Sequence, residues 1–236
     1  MPASRSSVLD RVARGVPDLV ARGLVDAAAT GFTAVARLRH AKALHPVGTV
    51  LVGTLVRTGL SPGVGVDWLD RPGEEQVLLR FSRATGVPGP LPDVLGLAIR
   101  SAGPDGRPQD LLLSTTGRCP LLRHLLVPRR RPDQGGYTSV VPFRTATGPL
   151  MVGVFPVAGG AFSLQVAGIA GCWREFGLLV PDDDPQAAPD EDVSFDPVRN
   201  PVPGLDLPRP LALLRAAAYA ASRSGRHGTG DAATPR

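Results

Sequence analysis

The sequence predicts an α+β protein, an antiparallel β-barrel with flanking N-terminal and C-terminal helices. Three observations support this. Apolar residues recur at helical spacing near both ends of the chain. Between them, eight short stretches alternate apolar and polar residues with a period of two. The content of 28 glycines and 25 prolines is high and divides the middle of the chain into many turns.

The N-terminal part, residues 1–44, carries Val8, Val12, Val16, Leu19, Val20, Leu24 and Val25 on helical spacing. Gly15-Val16-Pro17 and Gly31 divide it, and His45-Pro46 ends its last helix. Residues 45–180 form the barrel. Its strands are expected near 48–58, 75–83, 94–101, 110–115, 137–144, 149–157, 161–168 and 174–180, with a short helix near 119–127. Residues 181–194 are an acidic, proline-bearing linker, and its carboxylates read as solvated. Residues 195–227 hold Phe195-Asp196-Pro197, Pro203-Gly204 and a helix from about 208 to 222. Residues 228–236 are a polar tail, expected to be disordered.

Composition narrows the function classes. The chain is 43% hydrophobic over 236 residues, enough for one sizeable core. The net charge is +5 and Lys42 is the sole lysine, so the basic charge is almost all arginine, the residue suited to bidentate anion contacts. The run Arg129-Arg130-Arg131 has no interleaved aromatics and reads as a solvated loop, so no nucleic-acid partner is expected. Cys119 and Cys172 make no Cys-x-x-Cys spacing, which argues against a zinc site or disulfide scaffold. No apolar run approaches the roughly 18 residues of a membrane span, and charges at Asp10, Arg11, Arg14 and Asp18 interrupt any signal-peptide core. A reducing, cytoplasmic location is expected.

Three residue groupings bear on chemistry. Arg37 and His40 are three apart on a helix and share a face. Arg80 and Ser82 are two apart on a strand and point the same way. Arg215 and Tyr219 are four apart on the C-terminal helix and can touch. A guanidinium beside a phenol favours the phenolate, a hard anion that can ligate haem iron.

These groupings lie within a wider resemblance to the catalase superfamily. Arg37 to Ala43, with arginine three residues before His-Ala-Lys, resembles the catalase distal-helix motif. Val77 to Ser82 resembles the Arg-Phe-Ser strand, and Asp93 to Arg100 the following Gly-Phe-Ala strand. Asp110-Leu111 falls where catalases carry Asp-Leu ahead of the distal asparagine. Phe195-Asp196-Pro197, Pro203-Gly204, Arg215 to Tyr219, Arg226 and Gly228 resemble the proximal signature. The likeness covers about 37–115 and 195–228; the order and spacing of the motifs give it its specificity, since none is decisive alone.

The resemblance implies haem b as cofactor, with Tyr219 as the iron ligand and Arg215 holding it as phenolate. It implies His40 as the distal acid–base group, hydrogen-bonded by Ser82. It pairs Arg37, Arg80 and Arg226 with the haem propionates, since buried carboxylates need cationic partners. The distal asparagine position is taken by Ser114, whose hydroxyl is shorter and less directional than an amide. The expected activity is therefore a peroxidase acting on hydrogen peroxide or on organic or lipid hydroperoxides, with catalase turnover weak or absent. Hydroperoxide isomerisation is a related outcome. The alternative is a non-enzymatic catalase-fold barrel, either a haem carrier or sensor or a haem-less binding module. A basic surface for nucleic acid or anionic lipid ranks last. The wrapping segment and terminal helical domain of larger catalases are not expected, so the interlocked tetramer is not assumed, although a homodimer is compatible.

Some residues have plainer readings. His45, His124 and His227 are expected to be structural or solvated, and Trp68 and Trp173 core or rim aromatics.

Overall fold

The computed structural model describes residues 48–84, 90–182 and 193–208. The helices expected within 1–44 and after 208, the middle of the acidic linker and the C-terminal tail lie outside the described residues.

The strands are β1 (Gly48–Arg57), β2 (Gly73–Arg83), β3 (Leu95–Ala102), β4 (Pro108–Thr115), β5 (Tyr137–Thr138), β6 (Phe143–Thr145), β7 (Gly148–Pro156), β8 (Phe162–Ala167) and β9 (Arg174–Pro181). A four-residue helix, α1 (Asp67–Asp70), interrupts the β1–β2 connection. All pairings are antiparallel. The sheet order β5-β4-β3-β2-β1-β9-β8-β7-β6, with β5 also paired to β7, closes eight strands into a ring and leaves β6 outside it on β7. Closure removes the exposed edges that an open sheet would present.

Alternation along each strand decides which residues fill the ring. On β2, Val77 and Leu79 are buried, and Phe81 packs against the core. On β3 and β4 the inward residues are Leu95, Leu97 and Ile99, then Leu111 and Leu113. Leu164, Val166, Phe176 and Leu179 complete the interior from β8 and β9. At the Phe81 end, three aromatic rings meet: Phe81, Tyr137 and Phe162, with centroids 5.9–6.5 Å apart. This spacing suits edge-on and tilted aromatic packing. The interior is thus a packed core and not a channel.

The opposite end is plugged by the β1–β2 connection. Trp68 and Leu69 of α1 are buried, and Trp68 lies edge-on to Phe176 at 5.7 Å. The Asp70 carboxylate accepts the backbone N–H groups of Val64, Gly65 and Val66 at 2.7–3.1 Å, which satisfies donors the turn would otherwise leave open. Gly65 sits at φ +77°, a conformation that favours glycine.

Two local expectations are corrected. The strand expected over 137–144 is broken into β5 and β6, because Val140 adopts φ +63°. A β-branched residue is costly there, by about 1–3 kcal/mol, and needs its surroundings to impose the conformation. Here Thr138 Oγ1 accepts the Val140 N–H, and the Val140 carbonyl accepts from His124 Nδ1 at 2.9 Å. The helix expected near 119–127 is only a 3-10 turn, Leu122–His124. Tertiary bonds take over its backbone groups: the Leu122 carbonyl accepts from Gly117 N, and Thr138 Oγ1 donates to the Arg123 carbonyl.

Candidate functional site

The outward-facing residues of β1 to β4 form a panel in three register rows. The first row runs Gly48, Ser82, Gly96, Ser114 and continues to Thr138 on β5. The second is Val50, Arg80, Ala98 and Leu112. The third is Val52, Leu78, Arg100 and Asp110. Rows are two residues apart and strands lie side by side, so the panel measures roughly 14 Å each way. The sequence places each residue here by alternation alone, since its strand neighbours Leu79, Phe81, Leu97, Leu111 and Leu113 point inward.

The first row carries almost no side-chain volume. A methyl group on Gly96 would stand 2.7 Å from Ser82 Oγ, so the hydroxyl lies over the space that glycine leaves. A methyl group on Gly48 would stand 2.7 Å from Arg80 Cζ, so the guanidinium folds back over that glycine, next to Ser82. Ser82 and Ser114 flank Gly96 on adjacent strands, half-buried, with their hydroxyls on one face. Arg80, Ser82 and Ser114, three of the residues singled out from the sequence, therefore share one surface. Arg37, His40, Arg215, Tyr219 and Arg226 lie outside the described residues.

The third row ties a distant part of the chain to the panel, which the sequence did not disclose. Asp110 is completely buried and accepts from Arg100 Nε at 2.6 Å and Nη2 at 2.7 Å. The same carboxylate accepts the Asp196 N–H at 2.7 Å and Asn200 Nδ2 at 2.8 Å. Arg100 also donates to the Ser194 carbonyl and lies 4.8 Å from the Phe195 ring centroid. The Phe195-Asp196-Pro197 segment is thereby fixed against the barrel wall. A charged residue in the middle of an apolar strand, next to Leu111, was the available signal: such a group is stable only when its lone pairs are filled.

His124 is buried, in line with its expected structural role. A carbonyl can only accept, so its Nδ1 carries the proton toward Val140; Nε2 then has no partner among the described residues. Trp68 is a core aromatic, and Trp173 packs on the barrel exterior against Phe155 at 4.9 Å. Tyr137 is held protonated well above the usual tyrosine range, first by burial and second by the nearby charge of Asp133. Among the described residues, no cluster of three or more His, Cys, Asp or Glu side chains forms a metal-binding group, and no helix is long and apolar enough to cross a membrane.

Comparison with solved structures agrees with this architecture. Catalase A from Saccharomyces cerevisiae is similar over 77% of this chain, with a TM-score of 0.60 and 12% identity. A fungal catalase is also similar over 77%, with a TM-score of 0.56 and 14% identity. The chain spans about three fifths of the length of these structures, 60% and 59%. The fold of the described region is the catalase-like antiparallel β-barrel. No protein-family model and no curated protein matches the sequence.

Proposed function

We propose that this chain is a haem-binding, catalase-related peroxidase whose distal chemistry is assembled on the outward face of β2 to β4. The observation that carries this reading is the row Gly48, Ser82, Gly96, Ser114 on a barrel of the catalase fold, with the Arg80 guanidinium over its end. The residues fit the group. Two glycines keep the surface low, Ala98 and Leu112 offer apolar contact, and the two serines and one arginine supply the polar atoms.

Haem, when bound, supplies the iron redox chemistry that peroxide O–O cleavage requires. Tyr219 would hold the iron, with Arg215 favouring its phenolate form. Arg37, Arg80 and Arg226 would hold the propionates through charge-assisted hydrogen bonds. His40 would take the proton from one peroxide oxygen and return it to the other. Ser82 would hydrogen-bond His40 and orient its ring. Ser114 would donate to the peroxide where catalases use an amide. A hydroxyl holds a second peroxide less firmly than an amide, which favours reduction of one hydroperoxide over dismutation of two.

Haem added to the purified protein should give a Soret band that the Tyr219→Phe variant lacks. Ser82→Ala should bind haem as wild type does, lose at least tenfold in peroxidase kcat, and shift the pH limb set by His40. A holo-like spectrum in Tyr219→Phe refutes the ligand assignment. Haem binding with no turnover toward hydrogen peroxide or an organic hydroperoxide refutes the enzymatic reading and leaves a carrier.

A further inference from the structure

We infer that Cys119 and Cys172 form a dithiol site, assembled over the buried guanidinium of Arg123, which a hydroperoxide oxidises to an intramolecular disulfide.

The two cysteines are 53 positions apart in sequence, on the loops after β4 and after β8. Contacts from the residues around them stitch these loops together. The Arg118 carbonyl, immediately before Cys119, accepts from Trp173 Nε1, immediately after Cys172, at 2.8 Å. Arg123 N–H donates to the Cys119 carbonyl at 3.0 Å. The Arg123 side chain crosses to the other loop, where Nη1 donates to the Gly168 carbonyl at 3.0 Å and Nη2 to the Gly171 carbonyl at 2.9 Å. Its Cζ lies 4.6 Å from the Trp173 ring centroid. Both cysteines are free and exposed, so a small oxidant reaches them.

Arg123 is the unusual member of this group. It is 1% exposed, its Nε has no hydrogen-bond partner, and it makes no ion pair among the described residues. A cation buried among neutral carbonyls is disfavoured unless an anion stands near. Burial pulls its pKa down, and the smaller influences that oppose this come from Cys119 and Cys172, which puts both within electrostatic reach of the guanidinium. The guanidinium thereby sits where the two cysteine loops meet, with both thiols open to a small oxidant. Cys119 follows Arg118, and Cys172 lies between Gly171 and Trp173, so the bonds from Trp173 to Arg118 and from Arg123 to Gly171 hold the two cysteine backbones as neighbours.

The chemistry balances with a hydroperoxide as oxidant. One cysteine sulfur attacks a peroxide oxygen, the O–O bond breaks, and with one proton the products are a sulfenic acid and water (or an alcohol). The second thiol attacks the sulfenic sulfur, expelling water and forming the S–S bond. Two thiols are oxidised by two electrons per peroxide reduced. The inference does not depend on the proposed haem binding.

The test uses the full chain, reduced and then treated with hydrogen peroxide at one half equivalent per thiol, with free thiols capped and counted. Running it also on Tyr219→Phe removes competing peroxide consumption at any haem. Two thiols should be lost per peroxide, and mass spectrometry should find the peptide joining Cys119 to Cys172 within one chain. At one equivalent per thiol, Cys119→Ser and Cys172→Ser should each lose the remaining thiol and become reactive toward dimedone. Thiol loss should be at least tenfold faster in the folded protein than in urea. Equal rates folded and unfolded, or oxidation without the 119–172 peptide in both proteins, would overturn the inference.

Discussion

Asp110 offers the sharpest test of how the segment after the acidic linker is held to the barrel. Its carboxylate is fully buried and fills its lone pairs with two bonds from Arg100, one from the Asp196 N–H and one from Asn200. Asp110→Ala removes the acceptor for all four and leaves the Arg100 charge against Phe195 without its carboxylate. Breaking such a pair from one side costs about 3–5 kcal/mol. Arg100→Met should cost less, about 2 kcal/mol, because the Asp110 carboxylate keeps two donors from the 196–200 segment. The double variant should cost less than the sum, with a coupling of about 1–3 kcal/mol. Urea unfolding followed by tryptophan fluorescence reads the stability, since Trp68 is buried at the barrel end plugged by α1. Limited proteolysis across 193–200 reads local detachment. A cost below about 1 kcal/mol for Asp110→Ala would refute the view that this carboxylate anchors the segment, and so would strictly additive single costs.

Two further perturbations separate local roles from global ones. Gly96→Ala places a methyl group 2.7 Å from the present Ser82 Oγ position, so the hydroxyl must rotate away. Stability should change by less than about 1 kcal/mol, because alanine restricts the unfolded chain and partly offsets the contact, while peroxidase activity should fall severalfold; unchanged activity would remove Ser82 from the mechanism. Tyr137 has a folded-state pKa raised above its unfolded value, by burial first and by Asp133 second. The stability that follows from its neutral form is complete below about pH 10, where the unfolded phenol begins to ionise, and declines as pH rises beyond it. Alkaline titration at the phenolate absorbance should show Tyr137 ionising only with unfolding, and a normal tyrosine titration in the folded protein would contradict its burial.

Much of the barrel was legible from the sequence because period-two alternation survives wherever one face of a strand meets the core. Val77, Leu79 and Phe81 against Arg80 and Ser82 show it plainly, and the same rule brought Arg80, Ser82 and Ser114 to a common face. Register is a different matter. Nothing local in Ser82, Gly96 and Ser114 says that they align, because pairing is chosen by the core residues between them. The break at Val140 was hidden for a similar reason: a valine reads as a strand former, and only His124 and Thr138, brought up from other elements, hold it at φ +63°. Leu121 to Leu126 has helical spacing, yet Arg123 is committed to the carbonyls of Gly168 and Gly171, and the turn ends early. The Asp110 network joins residues some 86 to 90 positions apart, which no periodicity reports.

The ring is fastened unevenly. β1 and β2 share ten paired positions, whereas β5 contributes only Tyr137 and Thr138 to join β4 on one side and β7 on the other. Mechanically, the barrel is a long curled sheet held by a small clasp. A strain that unrolled it would begin at that clasp and uncover Tyr137 first, while the β1–β2 hairpin stayed intact. Ser114 is directly paired with Thr138 of the clasp. The hydroxyl proposed to touch peroxide thus sits beside the part of the wall with the least backbone reinforcement, whereas Ser82, on the β1–β2 hairpin, stands on the part with the most.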